Sequence, residues 1–140
     1  MASFKVIEEG AFGDYEFVAE AESLEKLFDI CGLATFEAVT DVSKVEALEE
    51  MNFAISTESL EELLFLFLAE LIYIKDTENI FFSRFEIKIT NKFKLSCKAY
   101  GERIDNKKHT LKTDVKAVTY HKLEVVKKSD GYGAHVILDL

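Results

Sequence analysis

The chain is 140 residues long, room for one domain of ordinary size, and 49% of it is hydrophobic against 31% charged, a balance that excludes a disordered chain. Its formal net charge of −9 argues against a general binder of phosphate backbones, because such affinity comes from cations that release counterions. Met1-Ala2-Ser3-Phe4-Lys5 has no cationic region followed by an apolar run, so no signal peptide is expected, and the longest apolar run, Leu63 to Ala69, falls short of the roughly 20 residues a bilayer span takes. Cys31 and Cys97 stand alone, with no CxxC or CxxH neighbour to make a disulfide framework or zinc knuckle. A single cytoplasmic domain over 1–140 is expected, with buried, reduced thiols and no membrane association.

Phe4 to Glu8 reads as a first strand and Tyr15 to Ala19 as a second. Between them, Glu9-Gly10-Ala11-Phe12-Gly13-Asp14 carries two glycines that mark a turn. Ser23 offers an N-cap, and Leu24, Leu27, Phe28, Cys31, Ala34 and Ala38 lay one apolar stripe along a helix that fades near Thr40-Asp41. Gly32 costs that helix about 1 kcal/mol against Ala, so close packing is the expected reason for it. Glu50 to Ser56 is a short strand with Met51, Phe53 and Ile55 on one side. A second helix follows, capped by Thr57 or Ser59, with Leu60, Leu63, Leu64, Phe67, Leu68 and Leu71 as its stripe; Leu66, Ile72 and Ile74 widen it enough to predict burial on more than one side.

From Ile80 the period changes to two. Phe81, Phe85, Ile87 and Ile89 predict a strand, Asn91-Lys92 a turn, and Phe93, Leu95, Cys97 and Ala99 alternate with Lys94, Ser96 and Lys98 in the next strand. After a polar segment from Glu102 to Thr113, two more strands are expected over Val115 to Val126 and His135 to Leu138, with Lys128-Ser129-Asp130-Gly131 as the hairpin turn. The order β-β-α-β-α-β-β-β-β predicts an α+β fold with a largely antiparallel sheet and two helices packed on it.

The net charge hides a division. Residues 84–128 carry 13 Lys+Arg against 5 Asp+Glu, and the remainder carry 4 against 21. A solvated face of alternating strands explains the basic half, and so does a docking surface for a charged partner. Standard catalytic motifs are absent: no GxSxG, HExxH, GxGxxG or P-loop pattern occurs. His121 and His135 fall in or near strands and His109 in the polar segment, where structural roles are commoner than catalytic ones. Asp139 is followed by Leu140, whose α-carboxylate stands beside it, and two acidic groups that close invite a cation with oxygen ligands. Asp14 supplies a third oxygen if the first and last strands are neighbours.

Several of these segments together resemble a known family. Gly101-Glu102-Arg103-Ile104-Asp105, His109, Leu111-Lys112-Thr113, Val115-Lys116-Ala117-Val118-Thr119-Tyr120-His121 and Leu123-Glu124-Val125 look like the signature block of archease. The ending Val136-Ile137-Leu138-Asp139-Leu140 resembles that family's short apolar tail closed by Asp and an aliphatic residue. Leu63-Leu64, Phe67-Leu68 and Glu70-Leu71-Ile72-Tyr73 resemble its second helix, with Phe67 where Trp is usual, and Phe36 with Thr40-Asp41 its first.

The resemblance implies a protein without catalysis of its own that stimulates an RtcB-type RNA ligase in tRNA splicing, helping the ligase histidine receive GMP from GTP and turn over. It also implies a divalent cation (calcium first, with magnesium or manganese also suited to oxygen ligands) held by Asp14, Asp139 and Leu140. Direct nucleic-acid binding is not expected. Where the family usually reads Glu-His-Thr-Ala-Asp, this chain reads Glu8-Glu9-Gly10-Ala11-Phe12-Gly13-Asp14; the His and Thr are missing and the spacing is two residues longer. Glu102, His109, Lys112, Lys116, Tyr120 and His121 lie in the signature block and are candidates for contact with the partner. If Val115 to Val126 is one regular strand, Lys112, Lys116, Tyr120 and Lys122 share a face. The alternative role is a chaperone-like module for tRNA-modifying enzymes such as methyltransferases, which needs no metal.

Overall fold

The structure is a computed structural model that describes residues 2–9, 13–90 and 92–140. Its elements run β1 (Ser3–Glu9), β2 (Asp14–Ala21), α1 (Leu24–Val39), a short 3-10 turn (Val42–Lys44), β3 (Glu49–Ser56), α2 (Leu60–Glu78), β4 (Ile80–Ile89), β5 (Lys94–Arg103), β6 (Ala117–Val118), β7 (Glu124–Lys128) and β8 (Gly131–Asp139). The α+β class and the strand–helix order follow the reading of the sequence. The strands divide between two antiparallel sheets. One is ordered β1-β2-β8-β6, with β7 also on β8; the other is ordered β3-β5-β4. Gly10 to Phe12 of the first expected turn, and Asn91 of the Asn91-Lys92 turn, lie outside the described residues.

Both helices begin where their capping residues place them. Ser23 accepts a hydrogen bond from the Lys26 amide at 3.2 Å, and Ser59, rather than Thr57, caps α2 by accepting from the Glu62 amide at 3.1 Å. Asn79, in the left-handed region at φ 56, closes α2 and turns the chain into β4. α1 packs against β2 and β8 of one sheet and β4 of the other, so its stripe lies between the two sheets. The ring of Phe85 comes so near Gly32 that a Cβ there would sit 2.9 Å from Cε2, which is the close packing the sequence predicts.

On α2, Ile72 and Ile74 are buried as expected, but Leu66 is 38% exposed and Phe65 and Tyr73 also face outward. The core is aromatic. Phe28 and Phe67 lie 5.6 Å apart, as do Phe36 and Phe82, and Phe67 meets Phe85 at 6.1 Å, all in tilted or edge-on pairs that suit ring quadrupoles.

Two departures from simple alternation shape the molecule. A bulge in β4 between Phe82 and Arg84 lets Phe81, Phe82 and Phe85 all be buried, where strict period two would turn one of them out. The bulge brings the Phe81 carbonyl over Gly101, where a Cβ would sit only 1.8 Å from that oxygen; glycine alone fits the first position of the signature block. The second departure corrects the strand expected over Val115 to Val126. The chain makes two short strands instead, β6 and β7, both paired with β8. Between them it leaves the sheet in a turn, closed by the Leu123 amide on the Tyr120 carbonyl and by Lys122 at φ 54. Lys112, Lys116, Tyr120 and Lys122 therefore do not share one strand face.

Candidate functional site

The fold brings the start of β2 against the end of β8. Asp14 lies directly opposite Asp139, and beyond them the Leu140 amide donates to the Gly13 carbonyl at 2.7 Å. Gly13 and Leu140 are thus a hydrogen-bonded pair, which makes Asp14 and Asp139 a non-hydrogen-bonded one, the kind whose side chains stand closest, with Cα atoms about 4.5 Å apart. Both carboxylates project from the same face of the sheet. On the other side of β8, Ala117 pairs with Asp139 and the Lys116 amide donates to the Asp139 carbonyl at 2.8 Å, so β6 fixes the backbone of the acidic residue.

Like charges opposite one another destabilise a ladder, and among the described residues no cationic side chain pairs with either aspartate. The donors gathered here are two carboxylates with the main-chain oxygen of Leu140 next in line. Hard oxygen donors suit calcium, magnesium or manganese and not a zinc site. Among the described residues no three His, Cys, Asp or Glu side chains converge as a metal cluster, so such an ion would complete its shell with main-chain oxygen and water.

From β5 to β6 runs a strap, Ile104 to Lys116, pinned at intervals. At its start Glu102 and His109 are buried together. The Asp105 amide donates to His109 Nδ1 at 3.0 Å, so the ring hydrogen belongs on Nε2, which donates to Glu102 Oε1 at 2.9 Å. The Glu46 amide and the Lys108 ammonium donate to the same oxygen at 2.9 and 2.7 Å. The Glu46 amide, then Lys108 and His109, hold the Glu102 carboxyl down at about 2, against a smaller opposing push from burial. Further along, Thr40 Oγ1 donates to the Thr110 carbonyl at 2.7 Å and the Lys112 amide to the Val39 carbonyl at 2.9 Å.

Lys75 then binds Asp114 and Asp76 at 2.8 and 2.6 Å. Burial pulls the Lys75 ammonium down, but the hydrogen bonds it donates to Asp114 and Asp76, with their charges, outweigh that and leave its pKa raised. Sequence reasoning missed this clamp; its one signal is a lysine within the apolar stripe of α2.

The six signature-block candidates thus fall into two groups. Glu102 and His109 are 9% and 4% exposed, and each is occupied by the other, so they shape the strap from inside. Lys112, Lys116, Tyr120 and His121 are on the surface. Lys112 reaches the Glu37 carbonyl at 3.0 Å. Tyr120 is 58% exposed and stacks on Phe65 with ring centroids 3.8 Å apart and planes 5° from parallel. Beside this pair a groove of about 270 Å³ runs between α2 and β6, lined by Phe65, Ala69, Ile72, Tyr73, Lys116 and Val118. Exposed tyrosines and apolar side chains rimmed by a lysine are the composition of a protein-docking surface.

Neither thiol is a nucleophile: burial raises both, Cys97 to about 12, with Asp29 adding to the push. His135 lies on the opposite face of the five-stranded sheet from the helices, its Nε2 at 2.5 Å from Glu16 Oε2. Among the described residues no helix is long and apolar enough to cross a membrane.

A two-sheet α+β domain with a cross-strand carboxylate pair at one sheet end and an apolar groove between α2 and β6 is the class these features define. The model of the Archease protein family (MTH1598/TM1083) matches residues 4–140. The chain is 44% identical over 113 residues to the protein archease of Pyrococcus abyssi, an alignment that spans 79% of this chain and 80% of that one. The solution structure of Methanobacterium thermoautotrophicum protein 1598 superposes with a TM-score of 0.84 at 40% identity, over 98% of both chains. The crystal structure of an archease, possible chaperone, from Thermotoga maritima shares the fold at a TM-score of 0.62 and 22% identity, over 97% and 96% of the two chains. The chain belongs to the archease family.

Proposed function

We propose that the protein acts in tRNA splicing as an accessory activator of an RtcB-type RNA ligase, with no catalysis of its own. In this reading Asp14, Asp139 and the main-chain oxygen of Leu140 hold a divalent cation, calcium first and magnesium or manganese as alternatives. The observation that carries it is the cross-strand pairing of Asp14 with Asp139 at the exposed end of β2 and β8. Asp14, Asp139 and the Leu140 main-chain oxygen would hold such a hard cation, and its charge would help neutralise phosphate oxygens during guanylyl transfer to the ligase. The protein's own part is to bind and to position. Tyr120, backed by Phe65, and Lys116 offer the ligase a docking surface, and the Lys116 amide on the Asp139 carbonyl ties the strand that edges this surface to the strand that carries Asp139. His121 and Lys112 extend it.

Asp14→Asn and Asp139→Asn variants test the metal reading. Each is expected to keep binding the ligase but to lose stimulation of its guanylylation, followed with labelled GTP; full stimulation by both variants sinks it. A second reading, a chaperone-like module for tRNA-modifying enzymes such as methyltransferases, is favoured by the apolar groove, which needs no metal, and by the possible chaperone role given to the Thermotoga maritima relative. Capture of partners from cell extract and their identification by mass spectrometry separates the two readings.

A further inference from the structure

The outer face of the three-stranded sheet carries a chemistry unlike the rest of the surface. At one end its charges find partners, since Glu86 holds Arg84 at 2.6 Å and Glu50 accepts from the neutral Asn52 amide at 2.9 Å. Toward the β4–β5 hairpin they do not. Lys94 and Lys98 project outward from β5, Lys88 stands on β4 opposite Ser96, midway between them, and Lys92 follows in the turn. Among the described residues none of these four lysines has an ion pair. Lys98 lies opposite Glu86, but that carboxylate is committed to Arg84. Strand geometry puts Lys94 and Lys98 roughly 13 Å apart along β5, with Lys88 on a strand about 4.8 Å away. Ser96 stands between them on β5, and the small residues Ala54 and Ser56 flank it on β3.

We propose that this face binds the phosphodiester backbone of a nucleic acid, without sequence preference. A protein partner would need an apolar centre to exclude water, and this face has only Ala54 and a Tyr100 ring already covered by Arg84, 4.8 Å from its centroid. Lysine ammoniums with serine hydroxyls between them are instead the donors that meet phosphate oxygens. The chain-wide charge of −9 opposes such binding only at a distance. At physiological ionic strength charges more than about 8 Å apart are screened from one another, and the carboxylates on this face, Glu50 and Glu86, are each already bonded. The site is separate from the aspartate pair and does not depend on the ligase reading.

The test is fluorescence anisotropy of a labelled RNA hairpin titrated with the full chain at several salt concentrations. Three neutralised phosphates give a log–log slope of roughly −2.1 to −2.7, so affinity is expected to fall roughly 20- to 40-fold between 50 and 200 mM salt. The triple variant Lys88→Ser, Lys94→Ser, Lys98→Ser should flatten that slope toward zero. A control with Lys5→Ser, Lys107→Ser and Lys127→Ser, which removes the same charge elsewhere, should leave it unchanged. No RNA binding by the unaltered protein at 50 mM salt overturns the proposal, as does an equal loss in the control. Tighter capture of oligoglutamate or of phosphatidylserine vesicles through the same three lysines also overturns it, in favour of an acidic protein or a membrane.

Discussion

Replacing Glu102 with Ala tests whether the buried Glu102–His109 pair anchors the strap. The substitution strips His109 Nε2–H of its acceptor in a place where the side chain is 0% exposed, and a buried donor left without a partner costs about 1–3 kcal/mol. Lys108 is 36% exposed and recovers its hydration at little cost, while the Glu46 amide loses its bond and a small void opens. Together these give roughly 2–3 kcal/mol, which for a domain of this length lowers the melting temperature by about 6–12 °C. Scanning calorimetry at neutral pH measures it directly.

The pH dependence gives a second handle with a definite sign. Because the folded Glu102 carboxyl titrates at about 2, below its ordinary 4.5, its stabilising contribution is complete above 4.5 and is lost as the pH falls from there toward 2. The gap between the parent and Glu102→Ala should therefore narrow over that window. A drop under about 3 °C at neutral pH, or a gap that widens on acidification, would refute the reasoning.

Other consequences are open to simple measurements. Gly32→Ala gains about 1 kcal/mol of helix propensity but forces a Cβ to within 2.9 Å of the Phe85 ring, and overpacking costs about 1–3 kcal/mol, so a lower urea midpoint is expected. Asp114→Ala should destabilise by about 1–2 kcal/mol by leaving the buried Lys75 ammonium with Asp76 alone. Lys75→Met should cost less, since the two carboxylates it abandons are 52% and 72% exposed; urea melts that reverse this order would refute the clamp. If the aspartate pair holds calcium, adding the ion at 100 times its dissociation constant should stabilise the parent by about 2.7 kcal/mol in a thermal melt and leave Asp14→Asn unmoved. Cys31 and Cys97 should resist thiol reagents until the protein unfolds, as counted by absorbance of the released chromophore.

Much of the fold was legible because its elements obey one period each. The stripe from Leu24 to Ala38, the alternation from Leu95 to Ala99 and the Asp130-Gly131 hairpin needed no tertiary information. What was not legible depends on neighbours distant in sequence. Val115 to Val126 has the composition of one strand, but two short runs share a single partner, β8, and the chain must leave the sheet between them. The β4 bulge is invisible in Phe81-Phe82 and becomes sensible only beside Gly101. Lys75 stands out only as a lysine in an apolar stripe, and its partner Asp114 comes from 39 positions away. The pairing of Asp14 with Asp139 could be stated only conditionally, since no local pattern reports which strands are adjacent.

The interior position of β8 has a consequence for when the molecule becomes complete. β2 finds its partner more than a hundred residues downstream, and β6 and β7 wait for the same strand. As the chain leaves the ribosome, the helices and the three-stranded sheet can assemble from segments already present, while β2 keeps one side unpaired. Such long-range closure is slow and leaves an exposed edge in the interim. The two aspartates meet only when that last strand slots in, so a chain interrupted before β8 has neither the acidic pair nor the edge of the groove. Readiness to engage a partner is in this way tied to completion of synthesis.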